Sequence, residues 1–267
     1  MKRSFAVVSS LLLVLFLAAS CGTARKAGYS DSFSKSKNRD KVFVGIARNG
    51  MPDKSRRNYV KCIHDAGAAV YFFPTYPAND SIMNSYLDKV DCLIIPGSTG
   101  ADTSGRAEYD MRIVKAAHER NLPLFGICFG HQIINKAFGG QISRISNAYP
   151  ETNLEHAIYV DGKNIGCISE AHSISIDSSS VMYGIYGTDS LMVNTSHRYC
   201  ATDVPDSLKV VATAPDGVVE ALEAPYILGV QFHPEYMYGR MHLKKHLRYF
   251  KYVEQEGRRY KNKKAGR

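Results

Sequence analysis

From Lys41 onward, short apolar runs alternate with longer stretches whose apolar residues recur every three or four positions. KVFVGIA at 41–47 reads as a buried strand, and Ser55–Ala66 as a helix that stops at Gly67. Ala69–Phe73 is the next strand and Asp80–Val90 the next helix. CLIIP at 92–96 is a strand closing on Gly97, and Gly105–Arg120 a long amphipathic helix. Pro123–Ile127 is again a strand, and it runs directly into a helix over Gly130–Phe138. Strands that are apolar throughout are covered on both faces, and alternation with helices favours parallel pairing. The pattern therefore predicts an α/β fold: a doubly wound, mostly parallel sheet with helices on both faces. Shorter strands are expected around Ala157–Val160, Leu191–Val193, Leu208–Ala212, Val218–Glu223 and Tyr226–Gln231, with a hairpin turning at Pro215-Asp216-Gly217. A tyrosine-rich amphipathic helix covers Tyr236–Tyr260. No internal repeat is visible, and residues 41–253 read as one domain.

The first 40 residues break this pattern. Lys2 and Arg3 precede an almost wholly apolar run, Phe5–Leu17, and small residues follow. That run is shorter than the roughly 20 residues a spanning helix needs, and its order is that of a secretion signal over residues 1–20. Ala18-Ala19-Ser20-Cys21 resembles a bacterial lipobox, which implies lipidation of Cys21 as the mature N-terminus. Gly22–Asp40, rich in Ser, Lys, Gly and Arg, reads as a flexible linker, so that residues 21–40 form a tether. The expected setting is the bacterial cell envelope, with the membrane reached through that lipid anchor.

Charge changes the picture less than its total suggests. The formal net charge is +9, but 11 Lys/Arg against 2 acids lie from Arg240 onward, leaving 23 of each sign in the rest. A basic C-terminal helix and tail (254–267) solvates an end more readily than it reads bases, so no nucleic-acid partner is expected. Trimming the chain after Gln255 should then leave its chemistry nearly intact. Of the six cysteines, Cys62 and Cys92 sit in apolar patterns and read as buried thiols. A pairing of Cys167 with Cys200 is left open.

The chemistry concentrates at GICFGHQ, residues 126–132. Gly126-Ile127-Cys128-Phe129-Gly130 has the G-x-nucleophile-x-G spacing of a strand–turn–helix elbow, at the carboxyl end of a predicted strand, where open α/β sheets place their sites. Small flanking residues let strand and helix approach around a strained nucleophile. The helix N-terminus favours a Cys128 thiolate and aims the Phe129 N–H at a developing oxyanion. A second apolar strand ends in Phe232-His233-Pro234-Glu235. Residues two apart in an extended segment face the same way, so Glu235 can orient His233 while His233 takes the proton of Cys128.

GICFGHQ followed by Phe138-Gly139-Gly140, with GVQFHPE at 229–235, resembles the class I glutamine amidotransferase-like superfamily, whose fold is flavodoxin-like. LIIPGS at 93–98, GICFGHQIINKAFGGQI at 126–142, VNTSH at 193–197 and DGVVEALE at 216–223 are most similar to the gamma-glutamyl hydrolase group (peptidase C26-like), which includes gamma-glutamyl-gamma-aminobutyrate hydrolases. The resemblance covers roughly Lys41–Tyr249. It implies Cys128 as nucleophile, His233 as base and Glu235 as orienting acid. It also implies an oxyanion hole from the N–H groups of Gly97 or Ser98 and of Phe129. Gln132 and the loop Asn194–His197, with Asn194, Ser196 and His197, are implied to hold the glutamyl moiety. Phe232 stands where many gamma-glutamyl hydrolases carry Trp. The reaction implied is cleavage of a gamma-glutamyl amide or peptide bond through a thioester, with no cofactor or metal, a small gamma-glutamyl substrate, and room for a homodimer.

Other candidates are weaker. His131 beside the elbow reads as packing, and His64, His118, His156 and His172 show no metal-ligand spacing with acids or cysteines. No Walker or dinucleotide motif is present. Two other functions compete with the hydrolase: an ammonia-supplying glutaminase subunit, which needs a synthetase partner domain and against which the expected export and the lack of a synthetase region in this sequence count, and a catalytically inert lipid-anchored binding protein.

Overall fold

A computed structural model describes residues 40–47, 51–74, 79–98 and 105–266. The predicted signal, Cys21 and linker lie outside the described residues. Residues 40–267 form one compact unit. Among the described residues no helix is long and apolar enough to cross a membrane.

The first half follows the periodicity closely. In order come β1 (Phe43–Ile46), α1 (Asp53–Asp65), β2 (Ala69–Phe72), α2 (Asp80–Leu87), β3 (Cys92–Ile95), α3 (Arg106–Glu119), β4 (Leu124–Ile127) and α4 (Phe129–Ala137). The second half is more finely divided. It contains β5 (Gln141–Arg144), α5 (Ile145–Ala148), β6 (Tyr159–Val160), β7 (Lys163–Asn164), β8 (His172–Ile176), α6 (Val181–Tyr186), β9 (Ser190–Val193) and β10 (Tyr199–Thr202). It ends with β11 (Lys209–Thr213), β12 (Val219–Ala224), β13 (Ile227–Val230), α7 (Pro234–Gly239) and α8 (Leu247–Lys264).

Nine strands form one sheet in the order β2-β1-β3-β4-β13-β12-β11-β8-β9. From β2 to β13 neighbours run parallel, and from β13 to β9 they run antiparallel. Apolar side chains fill both faces, as the strand composition requires. Tyr59, Phe125, Tyr249 and Phe250 lie on the face of α1 and α8, and Phe73, Tyr109, Ile113 and Ile133 on that of α2, α3 and α4. Burial of Phe73 and Phe125 stabilises the fold by roughly 1.5–3 kcal/mol each. The hairpin at 215–217 forms as predicted, joining β11 to β12 with a bulge.

Three features depart from the sequence reading. The helix expected over Tyr236–Tyr260 is broken into α7 and α8, and β5, α5, β7, β8, β10 and α6 are additions. β8 (HSISI) alternates buried and outward positions, because the antiparallel wing is covered unevenly, and its polar half masked it. α6 carries ordinary signals at its ends: the Ser180 hydroxyl accepts from the Tyr183 N–H, and Gly187 closes the helix at φ +68°. The tail is also not separate. α8 runs through it, and a Cβ on Gly257 would meet Val42 Cγ1 at 2.6 Å and Cys92 Sγ at 2.9 Å. Trimming after Gln255 would therefore strip packing from β1 and β3, and the dispensable tail of the sequence reading is withdrawn.

Candidate active site

β4 and β13 are adjacent and parallel, with Ile127 opposite Val230, so their carboxyl ends deliver Cys128 and the segment 231–235 to one place. The Cys128 N–H donates to the Val230 carbonyl at 2.8 Å, which fastens the elbow to its neighbour. Cys128 has φ 53° and ψ −104°, a region that non-glycine residues rarely adopt. The flanking glycines make this geometry attainable. A Cβ on Gly126 would lie 2.6 Å from the Gly130 carbonyl carbon, and one on Gly130 only 2.0 Å from the Ile95 oxygen. Strand end and helix start are in backbone contact. Phe129 opens α4, so its N–H has no acceptor within the helix.

His233 caps α7, and Pro234 occupies the first helical position, where its missing N–H costs nothing. His233 Nδ1 lies 2.7 Å from Glu235 Oε1, both side chains being buried. The pairing expected from extended geometry thus forms instead across the first turn of a helix. The imidazole and the Cys128 side chain approach each other beside Gly97. Burial alone would depress its pKa. Cys167, Glu235 and Cys128 outweigh burial and hold the imidazolium well above the ordinary histidine range.

Asn194 is fully buried and works on the backbone of this assembly. Its Oδ1 accepts the His233 N–H at 2.8 Å, and its Nδ2 donates to the His233 carbonyl at 3.1 Å and the Cys167 carbonyl at 2.9 Å. It positions the histidine. Ser196 is half-buried, accepts from Asn164 Nδ2 at 2.9 Å, and lies near the Cys167 thiol. Gln132 spends its amide nitrogen on the Tyr199 carbonyl at 2.7 Å and on Gln231 Oε1 at 3.0 Å. His197 is turned into a buried polar cluster, with Nδ1 3.0 Å from the Tyr199 carbonyl and Nε2 3.2 Å from His156. Gly97 stands beside the histidine and the cysteine, since a Cβ there would meet His233 Cε1 at 2.8 Å and Cys128 Cβ at 3.5 Å. Its N–H turns toward the Tyr59 hydroxyl at 3.4 Å, and Ser98 follows it, half-buried. His131 is buried beneath β13, where burial lowers its pKa to about 4.

Two contributors escaped the sequence reading. Cys167 faces His233, and although burial works against a thiolate there, the imidazolium and the hydroxyl of Ser196 carry its pKa below the ordinary thiol value. Cys167 and Cys200 are both free thiols, Cys200 donating to the Ser143 carbonyl. Arg106, buried at the start of α3, donates Nη2 to the Pro96 carbonyl at 3.0 Å and stacks 4.6 Å over the Phe129 ring. It ties the loop after β3 to the elbow. Neither has a local sequence signal, because both act across elements distant in the chain. Histidines without metal-ligand spacing in sequence also converge: His156 and His197 meet Glu220 with potential ligand atoms within 4.8 Å of one another.

Comparison with known proteins identifies the family and the fold. The Peptidase C26 family model matches residues 45–235. The chain is 31% identical over 200 residues to gamma-glutamyl-gamma-aminobutyrate hydrolase PuuD of Escherichia coli (strain K12), covering 68% of this chain and 78% of that protein. In fold it is similar to a glutamine amidotransferase from Thermotoga maritima, with TM-score 0.53, 16% identity, and 83% and 97% of the two chains covered. It is likewise similar to the glutaminase domain of Trypanosoma brucei CTPS with bound acivicin, with TM-score 0.57, 17% identity, and 81% and 94% covered. An elbow cysteine and a His-Pro-Glu turn on adjacent parallel strands, within a match that spans most of the compact unit, make this chain a member of the Peptidase C26 family.

Proposed function

We propose that this protein hydrolyses a gamma-glutamyl amide or peptide bond through a thioester on Cys128. The observation that carries the proposal is the juxtaposition of Cys128, His233 and Glu235, with the Nδ1–Oε1 hydrogen bond of 2.7 Å leaving Nε2 of His233 free to serve the thiol. The Cys128 thiolate attacks the gamma-carbonyl carbon, and negative charge moves onto the carbonyl oxygen. The Phe129 N–H at the start of α4 stabilises that oxyanion, joined by an N–H from the Gly97–Ser98 turn. His233 gives its proton to the departing amine, then takes one from the water that cleaves the thioester and frees glutamate. Glu235 keeps the imidazole in the productive tautomer and takes no proton. Family membership and the PuuD relative support the gamma-glutamyl class.

Incubating the domain from Asp40 with a panel of gamma-glutamyl amides and glutamine, and measuring released glutamate, tests the proposal. Turnover of gamma-glutamyl amides above glutamine supports the hydrolase. Preference for glutamine supports the ammonia-supplying reading, and absence of turnover the inert one. We also propose a lipid tether through Cys21, supported by the order of charged, apolar and small residues before it.

A further inference from the structure

The structure gathers a polar cluster, joined to Gln132 through the Tyr199 carbonyl, that the hydrolysis does not use. His156, His197 and Glu220 are each at most 5% exposed, and come from three separate parts of the chain. The outward ring nitrogen of each histidine is committed to an acceptor. His156 Nε2 lies 3.0 Å from Asp216 Oδ2, and His197 Nδ1 lies 3.0 Å from the Tyr199 carbonyl oxygen. A carboxylate and a carbonyl only accept, so those nitrogens carry the hydrogens. In the neutral rings, His156 Nδ1 and His197 Nε2 are then both bare lone pairs, yet they face each other at 3.2 Å. Glu220 Oε1, a third acceptor, lies 3.7 Å from the first and 3.6 Å from the second.

Three converging lone pairs in a buried site favour a cation between them. A proton on one ring would bridge the 3.2 Å nitrogen pair but leave Glu220 beyond hydrogen-bonding distance of both rings, with Oε1 reached only by His172 and Oε2 by nothing among the described residues. A metal ion serves all three. Ligands bound at roughly 2.0–2.1 Å in a tetrahedral zinc site stand about 3.3–3.4 Å apart, close to this triangle. The surroundings match such a site as well. Metal-bound histidines characteristically give their other N–H to a carboxylate or backbone carbonyl, which is what Asp216 and Tyr199 receive. His172 Nε2 lies 3.3 Å from Glu220 Oε1 and steadies the carboxylate, whose buried Oε2 has no hydrogen-bond partner.

We propose that His156, His197 and Glu220 form a structural site for a first-row divalent cation, zinc being the ion best suited to two imidazoles and a carboxylate. Its place explains its use. The Tyr199 carbonyl accepts from both His197 and Gln132, so the ion locks the antiparallel wing against α4, which carries the elbow.

The test uses the full chain with Cys128→Ala, so that the nucleophile cannot hold the ion. After exposure to Zn²⁺ and removal of excess, elemental analysis should find one zinc per chain. Zn²⁺ at about 100 times its Kd should raise Tm by roughly 5–10 °C. Glu220→Gln should lose both effects. Because that variant can fail to fold, Co²⁺ is also added to the Cys128→Ala protein: visible bands of a four-coordinate nitrogen/oxygen site are expected, without thiolate charge transfer. No retained zinc, a Glu220→Gln chain that binds as well, or a thiolate band pointing to Cys167 would each overturn the proposal.

Discussion

Replacing Gly130 by alanine tests the contact on which the elbow depends. The new Cβ would lie 2.0 Å from the Ile95 carbonyl oxygen, and real Cβ contacts essentially never fall below 3.0 Å. The obstacle is backbone, so no rotamer relieves it. The start of α4 must retreat from β3 by at least the 1.0 Å difference. Overpacking a well-filled interior costs 1–3 kcal/mol or more, and with backbone on both sides we expect about 3 kcal/mol. For a domain of this size that lowers Tm by roughly 6–12 °C. The same shift moves the Phe129 N–H and Cys128 off the reacting carbonyl, and a 1 Å misplacement costs on the order of 100-fold in rate. The loss should fall on kcat more than KM, since an oxyanion donor acts mainly in the transition state. Gly184→Ala is the control: it sits in α6 with nothing within 4 Å of its Cβ, and should stabilise by about 0.5–1 kcal/mol. Thermal melts and steady-state kinetics on both variants decide the matter. A Gly130→Ala enzyme that melts within about 2 °C of the parent and keeps its kcat would refute the close-contact argument.

Four further outcomes are expected. Cys128→Ser and His233→Ala should each abolish nearly all turnover, and their losses should not add in the double variant, whereas Glu235→Gln should cost less; glutamate release by Cys128→Ala would end the thiol mechanism. In timed iodoacetamide labelling below pH 7, Cys128 and Cys167 should be modified well before Cys62, Cys92 and Cys200, whose pKa values burial raises; uniform labelling would count against the elbow as a site of reactivity. Burial lowers the pKa of His246 to about 3, so between that value and 6.5 the unfolded chain binds the extra proton and stability rises with pH. His246→Phe should flatten Tm between pH 5 and 6.5, a window in which the histidine costs up to about 2 kcal/mol; an unchanged slope would assign it elsewhere. Cys21→Ala should shift the protein from membrane to soluble fractions or block its processing, and an unmodified Met1 terminus on a cytoplasmic protein would reject the tether.

The sequence by itself determined the parallel half of the fold and pointed to the residues that meet at the candidate site. Both rest on short-range rules. Apolar runs such as CLII and LFGI must be buried on both faces, and an elbow needs its two glycines within two positions of Cys128. His233 and Glu235 were legible because they sit two residues apart, although a helical turn rather than a strand joins them. What only the tertiary structure decided depends on contacts between distant segments. The strand order brings the last strand, β13, beside β4, and so sets the histidine next to the cysteine. Asn194 clamps His233 from 39 residues away, and Cys167 enters the site on a turn with no motif of its own. The same holds for His156, His197 and Glu220, which lack metal-ligand spacing along the chain and become neighbours only when the antiparallel wing folds over α4. Local periodicity encodes which faces are buried, but a side chain's partner is set by which strands pair, and that is a property of the whole sheet.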